Sequence, residues 1–109
     1  MYEYKAMVTK VYDGDTITVD FHLGFGIIIK SQKIRLLGIN TPEVRGKSKP
    51  EGIKSRDALR KRILNKVVVI RTFKDKKGKY GRWLGEVFID DENINGWLIQ
   101  EGYAKEYLK

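Results

Sequence analysis

Cysteine is absent from this sequence of 109 residues, which excludes a disulfide scaffold and any thiolate metal centre. Histidine occurs once, at His22, so two-histidine zinc motifs are excluded as well. A metal bound by such a chain is held by oxygen, the chemistry of calcium and magnesium. No apolar run approaches the length of a membrane span. The N-terminal "MYEYKAMVTK" lacks the apolar core of a secretory signal, so a cytoplasmic chain is expected unless a leader was removed. Internal repeats and domain-boundary signals are missing too.

What is present suits one compact unit. The composition is 41% hydrophobic and 33% charged, as in a soluble globular protein, and the length predicts a single domain over residues 1–109 with one core. Charge is unbalanced: 22 Lys and Arg against 14 Asp and Glu give a net +8. A basic surface of that size attracts polyanions such as nucleic acid or anionic lipid, although solubility alone also accounts for it.

Strand patterns dominate the first forty residues. "AMVTKVY" at 6–12 and "DTITVDFHL" at 15–23 read as strands, the second with Ile17, Val19, Phe21 and Leu23 on its buried face. Asp13-Gly14 between them is a two-residue hairpin signal, because glycine accepts the positive φ of a tight turn. After Gly24-Phe25-Gly26 a third strand, "IIIKSQKIRLLGI", extends the antiparallel meander. The segment at 44–52 is a loop in which Pro50-Glu51 opens a helix running through about Asn65, with Ile53, Leu59, Ile63 and Leu64 as its apolar stripe. Arg56 and Arg60 fall within that stripe and cover core with their stems, heads outward. "KVVVIRTF" at 66–73 and "RWLGEVFID" at 82–90 are further strands joined by the lysine-rich "KDKKGKYG", and "NINGWLIQEG" forms a short helix that Gly102 closes. Phe21, Trp83 and Trp97 read as core, and His22 as surface. Five strands and two or three helices predict a mainly β, α+β protein: an OB-type five-stranded barrel with the helices packed on it.

Chemistry concentrates where the third strand ends. In "RLLGINTPEVRG" at 35–46 a buried strand gives way to an amide, a hydroxyl and a carboxylate around a proline. In an antiparallel meander the start of the second strand and the end of the third share one end of the sheet, so Asp15 lies near Asn40, Thr41 and Glu43. Arg82 reaches that end if the barrel closes. Arg35 stands five residues before Asn40, about 16 Å along a straight strand, and joins the group only if the strand curls strongly.

"DGDT" at 13–16, "RLLGINTPE" at 35–43 and "KYGR" at 79–82, followed by the "NGWLIQEGYA" helix, resemble the staphylococcal nuclease, or thermonuclease, family over nearly the whole chain. The resemblance implies a five-stranded OB barrel and a calcium-dependent phosphodiesterase site acting on DNA and RNA. Carried over by motif, Asp15, Asn40 and the Thr41 backbone carbonyl resemble the calcium ligands, Glu43 the residue that activates water, and Arg35 and Arg82 the phosphate clamp. Lys79 and Tyr80 resemble residues beside a terminal phosphate, and Tyr107 a base-stacking tyrosine; the tail holds at most a vestige of the family's last helix. The family pattern often has aspartate at position 40. An amide oxygen still ligates calcium but adds no negative charge, so weakened metal affinity is expected.

Each motif also has a plainer reading. Asp13-Gly14-Asp15 alone is a hairpin turn, Asn40-Thr41-Pro42 a strand terminator, Glu43 a solvated charge and the two arginines barrel-rim cations. The expectation drawn from their joint occurrence is a calcium-dependent nuclease. Its partner is nucleic acid in single-stranded or unpaired form, with no membrane partner and a monomeric state. The alternative is a catalytically weak or inactive OB-type nucleic-acid-binding module.

Overall fold

The computed structural model describes residues 2–74 and 82–107. Five long strands form the barrel: β1 (Tyr2–Asp13), β2 (Thr16–Gly24), β3 (Ile27–Leu36), β5 (Val67–Lys74) and β6 (Trp83–Ile89). Short pieces decorate it: β4 (Ile39–Asn40), β7 (Glu92–Asn93) and β8 (Lys105–Glu106), with helices α1 (Lys49–Ile63) and α2 (Ile94–Gln100). The sheet order β3-β2-β1-β5-β6 is antiparallel throughout, and a parallel pairing of β3 with β6, Ile34 opposite Trp83 and Leu36 opposite Gly85, closes it. The expected OB-type α+β barrel is thus present.

Alternation along the strands places Val8, Val11, Ile17, Val19, Ile34, Leu36, Ile70 and Val87 inside, all at most 2% exposed. α1 closes one side of that core with Leu59 and Ile63, and α2 adds Ile94 and Leu98. Pro50 sits in the first turn of α1, where its missing N–H costs nothing. The Asn93 side chain caps α2 by accepting from the Gly96 N–H, and Gly102, at φ 80°, ends it as expected.

Several boundaries differ from the sequence pattern. The first hairpin turns at Gly14 and Asp15, because Asp13 still pairs with Thr16. β3 stops at Leu36; Gly38, at φ 78°, reverses the chain and β4 returns from it. α1 starts at Lys49 and ends at Ile63. The segment after α2 forms β8 against β4, where a vestige of a helix was expected, since Lys105 and Glu106 satisfy an otherwise open edge. Leu23 and Trp83 leave the core: they are 38% and 39% exposed and line an apolar groove with Tyr2, Phe21 and Ile29. Phe21 is buried, while Trp97 is half-buried beneath the Arg62 guanidinium, 4.7 Å from its ring centre.

Candidate functional site

A cleft of about 880 Å³ opens where the β1–β2 turn, the end of β3, β4 and the start of β6 meet. Asp15, Arg35, Asn40, Thr41, Glu43 and Arg82 all line it. The Asp15 carboxylate is 6% exposed and well held: Oδ2 accepts the Thr41 backbone N–H at 3.0 Å and Oδ1 the Thr16 hydroxyl at 3.2 Å. Arg35 Nη1 lies 3.4 Å from Asp15 Oδ2, and Nη2 donates to Asn40 Oδ1 at 3.3 Å. Arg35 therefore reaches Asn40 through the reversal at Gly38. The strand does not have to curl, as the linear distance had required.

Two glycines let the backbone close around these groups. A Cβ on Gly52, in α1, would overlap the Glu43 carbonyl, and one on Gly14 would stand 2.7 Å from the Thr41 methyl. α1 and the hairpin turn thus press on both sides of the strand-end loop. Ser55 Oγ, also from α1, donates to the Tyr103 carbonyl at 2.6 Å and ties the helix to the segment following α2.

The electrostatics are mixed. Burial, and then the neighbouring Asp15 carboxylate, push the Asp13 carboxyl up to about 6. Glu43 sits on the rim with its side chain 74% exposed and 3.9 Å from Arg45, in contact with water. Arg82 Nε is buried without a hydrogen-bond partner among the described residues, an unused donor on the cleft wall. The same holds for the Thr41 hydroxyl.

A cation fits this donor set in chemical type. Among the described residues no three His, Cys, Asp or Glu side chains gather as a metal cluster. The cleft offers the carboxylates of Asp13, Asp15 and Glu43 and the Asn40 amide, all hard oxygen donors suited to calcium. Asp15 Oδ2 and Asn40 Oδ1 already converge on a single positive group, the Arg35 guanidinium.

Tyr107 does not line the cleft. Its backbone N–H donates to the Gly38 carbonyl at 2.9 Å and its side chain is 47% exposed. Lys79 and Tyr80 lie outside the described residues. Residues that the motifs did not single out also line the cleft, among them Lys10, Tyr12, Thr18, Lys33 and Arg60. Strand parity places Lys33 on the face of Arg35, a signal available in the sequence. Arg60 is different: its side chain stays 41% exposed with Nη1 4.0 Å from Asp57, while Nε and Nη2 donate to the Val11 carbonyl at 3.2 and 3.0 Å, so its head is tied to β1 at the cleft.

Comparison with known proteins agrees with this architecture. The chain is 32% identical to the thermonuclease of Staphylococcus intermedius, over 91% of its length and 57% of the relative's. It is 34% identical to the thermonuclease of Staphylococcus hyicus, over 90% and 56%. An uncharacterized protein of Methanocaldococcus jannaschii is 32% identical, over 96% and 60%. The chain thus spans between 56% and 60% of the length of these relatives. Residues 33–109, which carry the strand-end loop, both helices and the closing strand, match the staphylococcal nuclease homologue model, and the chain belongs to that family.

Proposed function

We propose that this chain hydrolyses phosphodiester bonds of DNA or RNA with the help of calcium. The observation that carries the reading is the convergence of Asp15 Oδ2 and Asn40 Oδ1 on one guanidinium, with Arg82 and Glu43 on the walls of the same cleft. Membership of the nuclease family and the thermonuclease names of its relatives support it. A calcium ion would rest on Asp15, the Asn40 amide oxygen and the Thr41 carbonyl, and when bound it supplies positive charge to the phosphate under attack.

The remaining work belongs to side chains. Arg35 and Arg82 present planar, permanently charged forks matched to phosphate oxygens. Asp15 fixes the direction of the Arg35 fork before substrate arrives, so little reorganisation accompanies charge development. The open donor of Arg82 has no internal bond to give up. Glu43, wet and at the rim, takes the proton of the attacking water, a contribution of about 10²- to 10⁴-fold. The neutral amide at position 40 lowers the charge facing the metal and hence its affinity.

That same amide favours a competing reading, a barrel that binds single strands without cutting them. Cleavage of plasmid and single-stranded DNA across a calcium titration separates the two. Calcium-dependent cleavage that falls about 10²-fold or more in Glu43→Gln and in Arg82→Ala is expected. No cleavage at millimolar calcium, or undiminished cleavage by Glu43→Gln, overturns the assignment; salt-sensitive binding without turnover decides for the competitor.

A further inference from the structure

The outer face of the barrel beside the cleft is laid out in rows. Asp13, Thr16 and Arg35 lie opposite one another across β1, β2 and β3, and the next row on the same face is Lys10, Thr18 and Lys33. Cross-strand partners point to the same side of a sheet, so the two lysines flank Thr18 on the face from which Arg35 enters the cleft. All three line that cleft. Both lysines are exposed, and among the described residues neither forms an ion pair. Along β2 and β3 the rows are two residues apart, roughly 6.6 Å, a step that one extended sugar–phosphate unit spans. Beyond the lysines on β2 comes Asp20, whose Oδ1 accepts the Ser31 N–H at 2.8 Å, so the positive track ends there.

We propose that Lys10 and Lys33 form a second phosphate subsite, holding the phosphate adjacent to the one at Arg35, with the Thr18 hydroxyl between them. The inference rests on nucleic acid being the substrate, as proposed above, and it makes that substrate a chain with at least two phosphates. Lys33 follows Arg35 along β3 and Lys10 faces it from β1 across Thr18, so both ammonium groups can close on one position beside the Arg35 phosphate. Lysine suits this role because a flexible point charge follows a backbone whose exact position varies, whereas the reacting phosphate is met by the rigid forks of arginine.

The test is equilibrium binding of an end-labelled single-stranded oligonucleotide in chelator, where turnover plays no part. Lys10→Ala/Lys33→Ala is compared with Lys61→Ala/Lys66→Ala, which removes equal charge from exposed positions away from the cleft. The cleft pair is expected to weaken binding about tenfold and to make the slope of log K against log salt shallower by about 0.7 for the one phosphate released. The control pair is expected to change binding less than about twofold, and a dinucleotide with a single phosphodiester to bind all three proteins alike. Equal losses in both pairs, or a loss on the dinucleotide as large as on the oligonucleotide, overturn the subsite. Cleavage by the unsubstituted protein is scored separately: lysine-dependent binding without calcium-dependent cleavage refutes the nuclease reading and leaves the subsite standing.

Discussion

Asn95 holds Leu37. From within α2 its Nδ2 donates to the Leu37 carbonyl at 2.9 Å and to the Gly85 carbonyl at 3.0 Å, while Oδ1 accepts the Val87 N–H at 3.1 Å. One side chain, 4% exposed, thereby joins the turn that carries the chain from Arg35 to Asn40 to the strand that closes the barrel. Truncating it removes all three hydrogen bonds, leaving the Gly85 carbonyl only the Leu37 N–H at 2.9 Å among the described residues. Asn95→Ala is expected to lose roughly 2–4 kcal/mol, read as a lower urea midpoint with unchanged slope. A loss below about 0.5 kcal/mol would mean the turn is held by something else.

Gly52 sets two effects against each other. Alanine is the better helix former by about 1 kcal/mol, but its Cβ would overlap the Glu43 carbonyl, and such overpacking costs roughly 1–3 kcal/mol. Gly52→Ala is expected to be destabilised on balance and to lower kcat by displacing Glu43. A more stable variant with full kcat would show that α1 does not press on this loop.

Asn40→Asp adds a further acid beside Asp15. Calcium affinity by calorimetry is expected to rise roughly tenfold, because each added carboxylate strengthens the field on a divalent ion, and the calcium concentration for half-maximal cleavage falls in step. An unchanged affinity would remove residue 40 from the ligand set.

Arg35 bridges Asp15 and Asn40 with two different nitrogens, a geometry that one ammonium group does not reproduce. Arg35→Lys keeps the charge near Asp15, so the thermal midpoint is expected to move little. Cleavage measured as kcat/KM falls about 10²-fold with the loss of the fork. Parallel losses of stability and activity would instead make Arg35 chiefly a structural partner of Asp15.

How much of this was legible without coordinates depends on how local each relation is. The proximity of Asp15 to Asn40, Thr41 and Glu43 follows from a meander with short turns, because an antiparallel hairpin places its partners by chain continuity alone. The strands were readable for the same reason, from period-two alternation. Arg35 was not placed correctly by counting residues. A strand-length estimate assumes an extended backbone, and the single positive φ at Gly38 turns that backbone around. The partner of Arg60 was not legible because the helical period shows which face a long side chain starts from but not where its head bonds; the Val11 carbonyl decided that.

Composition and periodicity therefore excluded thiolate and two-histidine sites and determined a basic charge balance and a small β-barrel with helices on it, since those depend on residue type and nearest-neighbour spacing. The tertiary structure decided the rest. Parallel closure of β6 on β3 brought Arg82 to the cleft, and irregular register at Val8/Lys10 and Val11/Asp13 put Lys10 and Asp13 in line with Lys33 and Arg35. A one-residue slip in a strand reverses the face of everything after it. Which cations share a row is thus settled by pairing partners far away in the chain, and no local pattern encodes them.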